Sequence, residues 1–287
     1  FVGMCHEIGW LGRWLPRMLG KNHEDLHYRA AGLNHFSCML SLTDRTSGRD
    51  LYPEVLAKAA SFFEQEPGYS DLYDAYRKTG SLDASEKFHK GETEQKSAYE
   101  WADRKLIRFM LKNYGLLPIT TDSHFGEYLG WAWDVVDHRG ILDFYDVYKV
   151  MLSQEVPHEI HLETSERVIP IIDGMLADAK YEEAAVNILN TGLLDDLPSW
   201  LVVEVPAIVD KSGIRGIRME NVPKGYLALL RAYAGVYDMT AEAIIHEKKE
   251  YAIQALLANP VVHQASNLEE MVDRMISKQE RWLGYLK

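Results

Sequence analysis

An α+β fold rich in helix is what this chain of 287 residues predicts, and three observations carry it. Apolar residues recur at helical spacing in several separate stretches. A β-branched run, Trp200-Leu201-Val202-Val203-Glu204-Val205-Pro206, is too short for a helix and reads as a buried strand. No repeat, low-complexity tract or long linker divides the chain, so one compact unit is expected.

Taken in order, Phe1-Val2-Gly3-Met4 is an apolar run that reads as the tail of a strand, and a strand cannot be stable alone. Residues 54 to 65 predict a helix. Residues 97 to 114 predict another: Ser97 can cap its start, Trp101, Ile107, Met110 and Leu111 recur at roughly helical spacing, and Gly115 can stop it. The polar stretch 78 to 96 between them reads as a surface loop or lid. Residues 143 to 152 and 163 to 179 are further helices, the second interrupted by Pro170. Two helices close the chain. One starts at Thr240; the other opens on a capping box of Ser266 and Glu269 and sets Leu268, Met271, Val272, Met275, Ile276, Trp282 and Leu283 close to one face. That stripe reads as core or subunit contact, not as a cofactor box.

Composition narrows the function classes. The formal charge of −12, with basic residues scattered among more numerous acids, argues against nucleic acid, whose backbone wants a dense basic face. No apolar stretch approaches the roughly 20 residues that a membrane helix requires, so no membrane partner is expected. The two cysteines, Cys5 and Cys38, are too few for a disulfide framework and point to a reducing cytoplasm. No basic segment leads into an apolar core and a small-residue cleavage site in this sequence, so no secretory signal is expected.

The chemistry-bearing residues gather in two places. Cys5-His6-Glu7 is followed about thirty residues on by Gly32-Leu33-Asn34-His35. The spacing is too wide for a zinc knuckle, and it suits a thiolate and an imidazole brought from a strand end and a separate turn. Cys38 lies within a helical turn of His35 and reads as a core residue. Further along, Thr120-Thr121-Asp122-Ser123-His124-Phe125-Gly126-Glu127-Tyr128 concentrates titratable groups at a loop-to-helix junction, where Asp122 or Ser123 could equally serve as an N-cap. Asn34 either shapes the turn before His35 or orients a ligand hydroxyl.

Six stretches taken together carry a resemblance. They are Cys5-His6-Glu7, Ala31-Gly32-Leu33-Asn34-His35-Phe36, Gly48-Arg49-Asp50-Leu51-Tyr52-Pro53, Asp122-Ser123-His124-Phe125-Gly126-Glu127-Tyr128, Ser165-Glu166-Arg167-Val168-Ile169-Pro170, and the run from Asn187 to Asp210. In this order they resemble the portion of a glycoside hydrolase family 4 enzyme that follows its nucleotide-binding domain. The resemblance implies a fold like the C-terminal domain of lactate and malate dehydrogenases. It also implies that residues 1–8 are the end of an absent Rossmann-type NAD domain and residues 9–287 the catalytic domain that binds metal and substrate. The chain, which lacks an initiating methionine, would then be a fragment inactive by itself.

The resemblance further implies that Cys5 and His35 bind a divalent metal, usually manganese, and that His6 protonates the leaving oxygen. Asp122 is the first choice for the base and Tyr128 the second, while Asn34, Glu7, His124 and Arg139 face the sugar; it names no NAD-contacting residue here. Its chemistry is NAD-dependent oxidation at C3, loss of the C2 proton, elimination at C1, addition of water and return of the hydride, in place of the usual carboxylate pair. The partner is a small saccharide, and the apolar helices leave room for a homo-oligomer. His6-Glu7 resembles the branch acting on α-galacturonides. Against that, Glu7 would repel a uronate carboxylate unless it turns away or a cation such as Arg13, Arg45 or Arg139 intervenes. The alternatives are an α-galactosidase or α-glucosidase of the same family, and a non-catalytic helical ligand-binding or scaffold protein.

Overall fold

The computed structural model describes residues 1–5, 7–64, 70, 73–74, 77–78, 80, 104–153 and 167–287. In chain order the elements are α1 (Gly9–Leu19), β1 (Leu26–Leu33), β2 (Phe36–Asp44), α2 (Tyr52–Phe62), α3 (Lys105–Tyr114), β3 (Leu117–Pro118), α4 (Asp122–Gly126) and α5 (His138–Ser153). They continue with α6 (Val168–Leu176), β4 (Tyr181–Leu189), β5 (Val202–Asp210), β6 (Gly213–Gly216), α7 (Lys224–His246), α8 (Lys249–Ala258), α9 (Leu268–Lys278) and α10 (Glu280–Leu283). The strands form one antiparallel sheet in the order β3-β2-β1-β5-β4, with β6 beside β5. The expected helix-rich α+β class is what the chain adopts.

Side chains alternating along the strands feed separate cores. Ala30, Met39 and Leu42 meet the buried faces of α1, α2 and α3, including Leu11, Leu15, Val55 and Ile107. Ala31, Leu33, Cys38, Val203 and Val205 meet Phe125, Leu194, Tyr226, Leu230 and Tyr233 on the other side. A smaller cluster joins Ile171 of α6 to Val186, Ala207 and Val209, with Val2 and Met4 packed against it.

α1 was not foreseen, although Leu11, Trp14, Leu15, Met18 and Leu19 are buried at helical spacing and Gly20, at φ 65°, ends it. β1 and β2 were also missed, because Ala30-Ala31-Gly32 lacks the β-branched residues that signal a strand. Gly115 stops α3 in the left-handed region as expected, at φ 65°. Ser97 and Trp101, with nearly all of the expected loop at 78 to 96, lie outside the described residues, as do residues 163 to 166. Pro170 does not interrupt α6. It stands in the first turn, where no intrahelical N–H is required of it.

Three corrections concern the remaining elements. The helix expected from Thr240 starts sixteen residues earlier, after Pro223. Gly225, Gly235 and three tyrosines weaken its local signal, but Tyr226, Leu227, Leu230, Tyr233 and Ala234 bury one continuous stripe that holds it. The capping box of Ser266 and Glu269 does not form; Asn267 takes the N-cap position with no side-chain bond. The expected single helix is divided into α9 and α10; Leu268 and Val272 are buried, whereas Met271 and Met275 on α9 and Trp282 on α10 are 42, 47 and 67% exposed, so the stripe is core only in part. Finally, Phe1–Met4 was expected to lack sheet partners. Instead Gly3 and Asn187 exchange backbone hydrogen bonds of 2.9 and 2.8 Å, joining this segment to the end of β4.

Among the described residues no helix is long and apolar enough to cross a membrane.

Candidate active site

The hairpin between β1 and β2 turns through Asn34 and His35, with Leu33 opposite Phe36. His35 adopts the left-handed conformation at φ 62°, which a tight two-residue turn requires. The hairpin end is locked from below. The wholly buried Tyr226 hydroxyl lies 3.0 Å from the Ala31 carbonyl and 2.8 Å from that of Phe36, and donates between them. Gly32 is what lets it approach: a Cβ there would stand 2.3 Å from the Tyr226 hydroxyl.

Around this turn the fold collects polar groups from distant parts of the chain. The Asn187 amide donates to Asn34 Oδ1 at 3.2 Å and to Glu204 Oε2 at 3.4 Å. Glu204 is 1% exposed, and its Oε1 has no hydrogen-bond partner among the described residues. Burial, reinforced by the nearby Glu7 charge, pushes its carboxyl up to about 7 against the pull of bonds from Ser37 and Asn187. Glu7 is itself buried and accepts a hydrogen bond from the Thr120 hydroxyl. The His124 ring lies 5.2 Å from that of His35, and the Tyr128 hydroxyl donates to the Asn34 carbonyl at 2.9 Å while its ring stacks on Phe36. Glu127, 3.8 Å from His124, raises the histidine's pKa, with burial opposing and Glu7 assisting. Burial holds the Tyr128 phenol well above its usual range.

His35, Asn34, His124 and Tyr128 are thus brought to one turn. Cys5 is half-buried, two residues beyond the Gly3–Asn187 bridge, and opens onto a cleft of about 570 Å³ whose walls include Tyr28, Arg45, Arg167, Tyr181 and Glu183. His6 lies outside the described residues. Arg139 is placed on α5 with its side chain 90% exposed, 3.7 Å from Asp143. Cys38 is fully buried, and its thiol is pushed up by that burial, as its core reading requires.

Asp122 occupies a different kind of position from the one a solvent-reaching base would have. It is 2% exposed, and its two carboxylate oxygens accept the backbone N–H groups of Leu106 and Ile107 at 2.8 and 3.1 Å, at the start of α3. The capping role foreseen for it is therefore real but serves a neighbouring helix and not its own. Asp122→Ala should cost about 2 kcal/mol of stability, measured by urea unfolding, because it strips two charge-assisted bonds from a buried helix end.

Asn190 is likewise a scaffold: wholly buried, it accepts from Leu193 and Leu194 and donates towards the carbonyls of Leu194, Leu197 and Pro198, stapling the loop before β5. Residues not assigned to the site beforehand are Asn187, Thr120 and Ser37. For Glu204 a signal existed in the sequence, since one carboxylate stands in the middle of a run that otherwise reads as a buried strand.

The helix-flanked antiparallel sheet thus presents an imidazole on a tight hairpin and a thiol two residues beyond the Gly3–Asn187 bridge. Residues 30–262 match the C-terminal domain of family 4 glycosyl hydrolases, and the chain belongs to that family. It is 47% identical to an α-glucosidase of Erwinia rhapontici over 100% of this chain and 63% of that protein. It is 25% identical to an α-galactosidase of Bacillus subtilis, over 100% of this chain and 62% of the relative. A solved 6-phospho-α-glucosidase from gut microorganisms, in complex with NAD and Mn²⁺, shares the fold with a TM-score of 0.67 at 21% identity, covering 100% of this chain and 62% of that one. The chain therefore spans a little over three fifths of the length of these relatives.

Proposed function

We propose that this chain supplies the metal- and sugar-binding part of an NAD- and manganese-dependent α-glycosidase, with neutral α-glucosides as its first substrate class. The observation that carries the reading is the tie through Asn187, which links the segment bearing Cys5 to the turn bearing His35. Among the described residues no group of three or more His, Cys, Asp or Glu side chains forms a metal cage. In this reading Cys5 and His35 would hold a divalent ion whose remaining ligands come from substrate and water, and a thiolate on a hard ion makes such a site weak and exchangeable.

When bound, the cation would supply Lewis-acid stabilisation of charge on sugar oxygens, and NAD would supply reversible hydride acceptance. The chain's own groups position and exchange protons. His124, with its pKa raised by Glu127, keeps its proton further into the neutral range and can give it to a sugar oxygen near His35. Of the two base candidates, Tyr128 is the one at the turn and Asp122 the one engaged at a helix start, so Tyr128 takes the substrate-facing role in this reading. His6 keeps the proton-donor role that the family resemblance implies. Asn34 is exposed at the turn, where its side chain can orient a hydroxyl.

The similarity to a relative named as an α-glucosidase, at 47% identity, supports the neutral sugar. A second reading keeps the α-galacturonide suggested by His6-Glu7. Two observations favour it: Glu7 is turned inward onto Thr120, which lessens its repulsion of a uronate, and Arg45 lines the cleft that Cys5 opens onto. Exposed Met271, Met275 and Trp282 support homo-oligomerisation, and the two free cysteines support a cytoplasmic setting.

The test assays the product of the whole reading frame, with Mn²⁺, NAD and a reductant, on α-glucoside, α-galactoside and α-galacturonide in parallel. Preferred cleavage of the glucoside that disappears without NAD meets the proposal; cleavage of the galacturonide alone replaces it by the second reading. Cys5→Ser should weaken Mn²⁺ binding about tenfold or more, read by electron paramagnetic resonance of the free ion. Unchanged affinity in this variant and in His35→Asn would return the protein to the non-catalytic scaffold class.

A further inference from the structure

Strand register lines up five residues across the sheet. Ser37 of β2 faces Gly32 of β1, Gly32 faces Glu204 of β5, Glu204 faces Asn187 of β4, and Asn187 bridges to Gly3. Such a row is unusual for the middle of a sheet: two members are glycine and three are polar, while the flanking positions Val186, Val203 and Val205 are wholly buried hydrophobics. One end of the row lies two residues from Cys5. Near its other end the strands turn through Asn34 and His35. Asn187 reaches both arms, by its backbone to Gly3 and by its side-chain amide to Asn34, and the same amide is oriented by Glu204 Oε2.

We infer that Asn187 is a positioning residue that sets the separation of the Cys5 thiol from the His35 imidazole. The inference rests on the metal reading of those two residues. The physical argument concerns the two arms. Cys5 follows a segment held in the sheet by a single bridge, with two backbone bonds, and His35 sits on a two-residue turn whose conformation the ring cannot fix for itself. Tyr226 holds the hairpin, and Val2 and Met4 pack the other segment against the sheet, but each of these contacts fixes one arm by itself, whereas Asn187 bonds to both. A carboxamide is the right group for the junction, since it donates two N–H bonds at once to acceptors on different parts of the sheet, Asn34 Oδ1 in the β1–β2 turn and Glu204 Oε2 on β5. A carboxylate of the same shape has no such donors, so both bonds are lost as they stand and the junction must rearrange.

The experiment uses Asn187→Asp in the product of the whole reading frame, with Asn34→Ala and the double variant as partners. Three quantities are read: Mn²⁺ affinity by electron paramagnetic resonance, the alkylation rate of Cys5 in metal-free protein by peptide mass mapping, and the melting temperature. The expected result is Mn²⁺ binding weakened about tenfold to a hundredfold in Asn187→Asp, the range typical of residues that orient ligands. Cys5 should also alkylate several-fold faster. The double variant should be no worse than the more affected single one, because both substitutions break the same tie.

A variant that melts lower yet binds Mn²⁺ and alkylates at wild-type rates would overturn the inference and leave Asn187 a purely structural residue. If the wild type binds no Mn²⁺ while alkylation still rises in Asn187→Asp, the metal reading fails and the positioning of Cys5 stands. If neither alkylation nor affinity moves, the positioning fails whatever the metal does.

Discussion

Gly32→Ala should lower the melting temperature by roughly 10 °C, corresponding to about 4 kcal/mol in a chain of this size. The new methyl would fall 2.3 Å from the Phe36 carbonyl oxygen, 2.3 Å from the Tyr226 hydroxyl and 2.8 Å from the Ser37 Cα. Two of these neighbours are backbone of the paired strand and cannot swing aside. The third is the hydroxyl that ties the Ala31 and Phe36 carbonyls, so moving it removes a bond from two buried acceptors. The damage should be felt at the His35 turn before it reaches the rest of the sheet. Gly235→Ala is the contrast: it lies inside α7 with nothing within 4 Å of its missing Cβ, and should gain about 0.5 to 1 kcal/mol from helix propensity. A denaturation series on the two variants checks both signs together. A Gly32→Ala protein that melts with the wild type would show that the hairpin end can open at little cost.

The second large effect is a pH dependence of stability centred on Glu204. Burial pushes its carboxyl from the ordinary glutamate range up to about 7 in the folded protein, so between those values the native state binds a proton that the unfolded chain does not. The corresponding stability is fully present below about pH 4.5 and is lost as pH rises through 7. The shift amounts to roughly 3 kcal/mol. Glu204→Gln removes the titration while keeping the shape and an acceptor for the Asn187 amide. Relative to the wild type, the variant should therefore gain roughly 3 kcal/mol between pH 5 and pH 8, read as the difference of two urea-unfolding series, which cancels every other titrating group. Parallel curves for the two proteins would mean that the Glu204 charge is compensated in the fold.

How much of this could be read from residue order depends on the kind of signal each element leaves. Helix ends marked by glycine, such as Gly115, and the strand signalled by Val202-Val203-Glu204-Val205 were legible because backbone geometry or β-branching speaks locally. The β1–β2 hairpin was not, since Ala30 and Ala31 carry no β-branched signal and Gly32 is small to admit Tyr226, nearly two hundred residues away in sequence. The same limit applies to the site. Cys5 and His35 could be singled out by residue type, and the turn at Asn34 and His35 was foreseen. Asp122 was marked by its surroundings in sequence, but its contact with the start of α3 depends on how two helices meet. Asn187 was marked only as the first residue of the run to Asp210, with no role, because an asparagine in a strand becomes informative only once Gly3, Asn34 and Glu204 stand around it.

That convergence has a kinetic side. Asn34 and Asn187 are 153 residues apart in the chain, and Gly3 reaches the same asparagine from the opposite direction. Loops of such length close late and slowly, and contacts of high sequence separation dominate the time a chain needs to reach its native state. A collapsed intermediate can hold the local β1–β2 hairpin and the helices while the Cys5 arm still swings free. On the proposed metal reading, ion uptake during refolding should accordingly trail the recovery of helical signal, and its delay would report closure of the sheet.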